Sequence, residues 1–267
     1  MEEYIEKYIV DGFVLNCIKN DTCITDCAKK NILWENWFEK IIPIVYEKNS
    51  NMIDIGAHIG TMSLMMSKYI SKHNFIYAFE PVYTQITQLN IDDNKLSETV
   101  IVFPVGLSNK KEQLIGGFID FNLPNNYGYT TLDKLPKYNG DNGNNGDIGN
   151  CLLINLDTLD KYNFTNISFI KIDVEGAESK VLEGALDTII KYFPSIFIEL
   201  WCTSNNCSKQ KKENTFDFEN PLNSFTILFN LGYICFPISP NSDDFLFVHY
   251  SKYRIIENIN KLLNNKT

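Results

Sequence analysis

Three residues in "NMIDIGAHIG" (51–60) have the types and spacing to do chemistry: an apolar run stops on Asp54, and Gly56 and Gly60 follow, four apart. Glycine tolerates positive φ and lets backbone approach a ligand closely. A helix starting at Thr61 would aim its unpaired N–H groups at the same place. The next apolar run, "YAFEP", ends on Glu80 and Pro81. That is the distance downstream at which a carboxylate grips the two hydroxyls of a ribose. Together these residues read as a nucleoside site.

The loop's composition narrows the nucleoside. Dinucleotide folds use G-x-G-x-x-G to bring backbone against a pyrophosphate, whereas this loop reads D-x-G-x-x-x-G. A leading carboxylate suits a cation. S-adenosylmethionine carries an ammonium, a sulfonium and a ribose but no phosphate, so it answers the loop's charge. Val105 and Gly106, after the third apolar run, would border its adenine. His58, inside the loop, is either a base or a local hydrogen-bonding group.

Methyl transfer is an in-line displacement that depends on alignment, and a hydroxyl acceptor also needs a base near the line of attack. Asp173 and Glu175 in "KIDVEGAE", with Glu199 ending "SIFIE", converge where that base would stand. Asp173 and Glu199 are the catalytic candidates, and Glu175 is a substrate or capping residue. Clustered carboxylates raise one another's pKa, which can turn one into a base. They could instead bind sugar hydroxyls, cap the following helix or hold Mg²⁺; no metal is assigned. Trp201 offers a flat face for a sugar ring, and His249, ending the last apolar run, is a further base candidate on the substrate side.

The elements that position these residues alternate. Strand-like runs at 51–55, 75–79, 99–105 and 167–173 are separated by helical stretches from about Thr61 and Thr84, which is the pattern of βαβ units and a parallel sheet. A fifth strand, "SIFIEL", precedes a helix over 221–231. "GYICFPI" and "DDFLFVHY" are joined by a link too short for a parallel crossover, so they form an antiparallel hairpin. Residues 177–193 read as one helix with a single apolar face. Trp34, Trp37, Phe38, Ile41, Ile42 and Val45 give an amphipathic helix within an N-terminal helical cap (1–50), ahead of the main domain (51–267). Residues 121–150 are a polar, glycine-rich excursion over the substrate site.

"NMIDIGAHIGTMSL", "YAFEP", "FPVGLS", "LINLDTLDKY", "FIKIDVEGAESKVLEGA" and "PSIFIEL", in that order, resemble the FkbM-type methyltransferases from about Trp34 to Leu200. The resemblance implies an α/β, Rossmann-like, seven-stranded, mostly parallel sheet with an antiparallel last strand, of the class I methyltransferase type. It implies that Asp54, Gly56, Gly60 and Glu80 bind the cofactor and that Glu35 reaches its methionine end. It also places Tyr127 to Thr131 of "NYGYTT", with Tyr127 and Thr130 foremost, in the acceptor pocket. The family usually has Asn at the position of His58.

Composition excludes several classes. A net charge of −9 opposes phosphate neutralisation, so nucleic acid is not an expected partner. The seven cysteines show no paired CxxC spacing, which argues against a disulfide framework or a zinc site. The acidic start (Met1-Glu2-Glu3-Tyr4) and the lack of a long apolar run lead us to expect a soluble cytoplasmic protein with no membrane partner; a homo-oligomer is compatible with the sequence. The expected activity is O-methylation of a sugar or nucleotide-sugar in glycan biosynthesis. The rivals are a non-catalytic nucleoside-binding partner subunit and a nicotinamide-dependent oxidoreductase, the latter disfavoured by the loop spacing.

Overall fold

A computed structural model describes residues 2–116, 119–129, 152–201, 221–239 and 243–264. It opens on a hairpin, β1 (Ile5–Val10) and β2 (Phe13–Ile18), with Val10 opposite Phe13. The turn is Asp11-Gly12, with φ of 52° and 83°. This corrects the helical cap expected over 1–50, because an Asp-Gly pair accepts the two left-handed conformations of a two-residue hairpin loop.

After α1 (Ile24–Lys29), the amphipathic helix expected through Trp34 to Val45 is also broken. Glu35 turns into the left-handed region, Asn36–Lys40 is a 3-10 turn, and α2 (Ile42–Val45) is a single turn with Pro43 at its start. Proline lacks an N–H and its ring strikes the carbonyl four residues back, so it is tolerated only there. The apolar periodicity still does its work: Phe38 is buried, with its ring 5.9 Å from Phe169 and 5.2 Å from Phe197.

The alternation then runs as expected: β3 (Asn51–Ile55), α3 (Thr61–Ser67), β4 (Ile76–Phe79), α4 (Thr84–Asp93) and β5 (Val100–Phe103). A second, three-stranded sheet that the sequence pattern does not announce follows: β6 (Gly106–Leu107), β7 (Glu112–Gly116) and β8 (Leu152–Asp157), with β8 in the middle. β9 (Ile167–Ile172) returns to the main sheet. The single helix expected behind it is two, α5 (Glu178–Glu183) and α6 (Leu186–Tyr192). The break falls at Gly184, where an added Cβ would lie 2.0 Å from the Ser108 carbonyl oxygen. β10 (Ser195–Glu199), the helix Pro221–Asn230, β11 (Tyr233–Pro237), β12 (Asp244–His249) and the helix Tyr253–Asn264 complete the described chain.

The main sheet has seven strands in the order β5-β4-β3-β9-β10-β12-β11, with β12 antiparallel to both neighbours. β3 and β9 are buried at every position, as strands covered on both faces must be. The chain winds outward from β3 in one direction and from β9 in the other. Ligands in open α/β sheets bind outside the carboxyl ends at such a reversal. Among the described residues no helix is long and apolar enough to cross a membrane.

The hairpin is stitched to α4 by side-chain amides. Asn90 Oδ1 accepts from the Asn16 N–H (2.6 Å), while its Nδ2 donates to the carbonyls of Asn16 (3.1 Å) and Ile59 (2.7 Å). Asn94, one turn on, repeats the pattern with the N–H and carbonyl of Val14 (2.9 and 2.7 Å). Asn90 is fully buried. Asn90→Ala strands several buried backbone groups and should cost about 3 kcal/mol. Urea unfolding measures this, and a loss below about 1 kcal/mol would mean that water replaces the amide.

Candidate active site

At the end of β3 the chain turns at Gly56, whose φ is 76°. A Cβ there would lie 1.8 Å from the backbone oxygen of Asp173. Gly56 and Ala57 both donate to the Phe79 carbonyl at 3.0 Å, and Gly60 (φ 90°) leads into Thr61 at the head of α3. The glycines are where the sequence needed them, but Asp54 does not face an open crevice. It is fully buried, its Oδ2 accepts from Ser63 Oγ (2.6 Å), and its Oδ1 is 3.5 Å from Lys171 Nζ. The cation this carboxylate meets is the chain's own.

Glu80 is likewise drawn inward. Its Oε1 accepts from the N–H groups of Val82 (2.6 Å) and Tyr83 (2.9 Å), and its Oε2 from His58 N–H (2.8 Å). Burial raises its pKa, against those three donors. A carboxylate has about four acceptor sites, so capacity for a hydroxyl is left. His58 sits at φ 50° with its ring edge-on to Tyr83 at 4.5 Å. Burial pushes its pKa down to about 4, so the ring is neutral at pH 7. Both ring nitrogens are buried without a hydrogen-bond partner. Such orphaned groups call for an explanation, and a polar ligand group in the loop supplies one.

The acids gather at the neighbouring strand ends. The β3–β9 register sets Lys171 beside Asp54, two residues before Asp173. Pairing of β10 with β12 sets Asp244 opposite Glu199. One carboxylate oxygen each from Asp173, Glu175 and Glu199 lie within 4.8 Å of one another. Burial first, then the charges of Asp173 and Glu175, drive the Glu199 pKa far above the carboxylate range, and a hydrogen bond to Asp173 adds to this. Glu199 therefore carries a proton at neutral pH. That favours Glu199 as a hydrogen-bond donor to Asp173 over the base expected of it. Burial, then Asp244 and Asp173, raise Glu35 to about 8. Glu178, which accepts from the N–H groups of Gly176 (2.9 Å) and Val174 (3.3 Å), is raised by burial to about 7.

These shifts have a sign. A carboxyl whose folded pKa is raised stabilises the fold below its unfolded value, and that contribution is lost as pH climbs through the folded value. Neutral His58 acts oppositely but only below about 6.5. Between pH 6.5 and 8.5 the melting temperature of the ligand-free protein should therefore fall, and Glu199→Gln, which has no proton to lose, should flatten the slope. Differential scanning fluorimetry across that window decides it; a melting temperature that rises with pH contradicts the protonated acids.

Other sequence candidates fall elsewhere. His249 is at the opposite end of the strands: β12 runs antiparallel, so Asp244 is its residue beside Glu199, while His249 pairs with Tyr233, stacks on Phe193 and bonds Ser251 through Nδ1. Trp201 is buried and presents no open face. Tyr127 is 1% exposed, and its hydroxyl points to the carbonyls of Leu123 and Asp120, so it anchors its loop. Its N–H donates to Asp21. Thr130 lies outside the described residues. Gly106 is closed in by the side chains of Leu156 and Pro81, which would lie 2.6 and 3.4 Å from a Cβ added there, and Val105 beside it is half-buried. Sequence reasoning missed Lys171, Asp244, Glu178 and Asp21. Only Lys171 had a signal, a lone cation inside the apolar run "ISFIKI".

The strand order, the antiparallel β12 and the glycine turn after β3 define a Rossmann-like fold of the class I methyltransferase type. The Methyltransferase FkbM domain matches residues 54–234, and the chain belongs to that family. Among solved structures, methyltransferase FkbM from Methylobacillus flagellatus KT is similar at 18% identity and a TM-score of 0.46, over 75% of this chain and 43% of that one. This chain thus spans less than half the length of that relative. An O-methyltransferase from Bacillus cereus, in complex with SAH, is 13% identical over 80% of each chain, with a TM-score of 0.47. Aeropyrum pernix fibrillarin, with natively bound S-adenosyl-L-methionine, is 10% identical over 77% of this chain and 67% of its own, with a TM-score of 0.41. No curated protein sequence matches significantly.

Proposed function

We propose that the protein uses S-adenosylmethionine to methylate a hydroxyl of a small polar acceptor, a sugar or nucleotide-sugar. The observation that carries this reading is the glycine turn at Gly56, packed without room for a side chain against the backbone of the acid-bearing strand end. Cofactor and acceptor sites are thereby neighbours. The residues fit the cofactor: the orphaned ring nitrogens of His58 border the turn, Glu80 keeps acceptor capacity, and Glu175 and Asp244 supply negative charge for a ligand with positive groups. When bound, the cofactor supplies an electrophilic methyl group on a sulfonium.

The chain's own residues then have three tasks. Asp173 accepts the proton of the acceptor hydroxyl as its oxygen takes the methyl group. Glu199, protonated, hydrogen-bonds Asp173 and fixes its orientation. Glu175, at φ 58° in a turn held by Glu178, offers its carboxylate to acceptor hydroxyls. Lys171 Nζ, 3.4 Å from Asp173 Oδ2, already brings a positive charge to these three carboxylates, so none of these tasks calls for Mg²⁺. Isothermal titration tests the reading: S-adenosylmethionine should bind and NAD should not, and the reverse result removes the proposal.

A further inference from the structure

The family assignment and the acid trio leave one buried cation unused. Lys171 is 2% exposed, on the strand that carries Asp173. Its ammonium donates to the Gly56 carbonyl at 2.7 Å and lies 3.4 Å from the Ile55 carbonyl, 3.5 Å from Asp54 Oδ1 and 3.4 Å from Asp173 Oδ2. It therefore touches both the turn that would hold the cofactor and the carboxylate that would take the proton. An ammonium has three donors on a flexible stem, and here they are spent on groups from both sides of the switch point.

We propose that Lys171 is a positioning residue for methyl transfer, a buried strut that fixes the distance between the Gly56 turn and the Asp173 carboxylate. This rests on the methyltransferase reading of the site. Two simpler roles can be weighed against it. If Lys171 served only to neutralise Asp54, a hydrogen bond to Gly56 and a second carboxylate would be superfluous, yet both are present. If it served only to hold the backbone, its reach to Asp173 would be superfluous. Burial pulls its pKa down, but the carboxylates of Asp173, Asp54 and Glu35 outweigh this and keep it charged.

The charged and titratable groups that act on Asp173 are Lys171 on β9, Glu175 in the following turn, Glu178 on α5, Glu199 on β10, Glu35 before the 3-10 turn and neutral His58 in the cofactor turn, and Asp244 on β12 acts on Glu199 and Glu35. Of these described residues, Lys171 alone is a cation. Its removal should move the acid limb of the kcat/KM profile to higher pH, as well as loosen the geometry.

Lys171→Gln leaves Asp54 buried without a counter-charge and risks unfolding, so the deciding variant is Lys171→Gln with Asp54→Asn, compared with Asp54→Asn alone. The expected result is a folded double variant that binds S-adenosylmethionine as tightly as Asp54→Asn does. Its kcat should be lower by roughly 10- to 100-fold, the scale of a misplacement near 1 Å, with the acid limb displaced upward. Equal kcat and an unmoved limb in the two variants would overturn the proposal and leave Lys171 a charge balancer. A second measurement needs no variant: the Lys171 side-chain ammonium resonance in ¹⁵N-lysine-labelled wild type should shift when S-adenosylmethionine is added. An unshifted resonance in the presence of bound cofactor would overturn the proposal also. Failure of the wild type to bind S-adenosylmethionine is a different result and strikes the methyltransferase reading.

Discussion

Asp173→Asn should lower kcat by about 10²- to 10⁴-fold, the usual contribution of a positioned general base, while S-adenosylmethionine affinity stays within a few-fold of wild type. The substitution keeps the shape and removes the charge. Asp173 is the carboxylate on which the site converges: Lys171 lies 3.4 Å from its Oδ2, and Glu199 and Glu175 lie within the same 4.8 Å cluster. Glu199 already holds a proton, so it has no free capacity to substitute as base. Its own variant, Glu199→Gln, retains a donor and should be much milder. Single-turnover transfer of a labelled methyl group, with binding measured separately, gives both numbers. Turnover within about fivefold of wild type would move the base elsewhere, with His58 the next candidate. Loss of binding together with turnover would show that Asp173 supports the cofactor turn instead.

The largest structural effect should come from Gly56→Ala. Left-handed backbone costs a residue with a Cβ roughly 1–2 kcal/mol. Overpacking adds about 1–3 kcal/mol, and here the new methyl would sit 1.8 Å from the Asp173 carbonyl oxygen, which belongs to backbone and cannot rotate away. The sum, about 4 kcal/mol, corresponds to a melting temperature lower by about 10 °C in a chain of this size. Methyl transfer should vanish, since the cofactor turn and the Asp173 strand end must separate to admit the methyl. Gly12→Ala is the internal control: its φ is 83° but nothing lies within 4 Å of its Cβ, so it should show the conformational cost alone. Equal melting temperatures for the two variants would mean that the site relaxes without penalty.

Much of the main sheet was legible because its strands carry their signal locally. Runs such as "NMIDI" and "SIFIE" are short and mostly apolar, with an acid at or near the end, and the link between β11 and β12 is too short for anything but a hairpin. The N-terminal hairpin carried a signal that the expected helical cap left out: "YIVDGFVL" sets an Asp-Gly pair between apolar strands, while the tryptophan-rich periodicity after it points toward helix. The pattern of 177–193 could not reveal its break at Gly184, because the cause is the carbonyl of Ser108, distant in sequence. In the site, Gly56, Glu80 and Asp173 stand at ends of strands and could be placed by counting. His249 was misplaced because direction matters: on an antiparallel strand the residue near the acids is the first, Asp244, and not the last. Lys171 is harder to place, because a cation inside a strand has no strand end to mark which groups it meets.

The amides of Asn90 and Asn94 bear on more than the hairpin's attachment. A strand whose outward N–H and carbonyl groups stay unpaired is a template on which other chains polymerise. By giving those of Val14 and Asn16 to side chains of a helix, the protein closes that flank of β2 to a foreign strand, and it does so with residues that a helix can carry at no loss of its own hydrogen bonding.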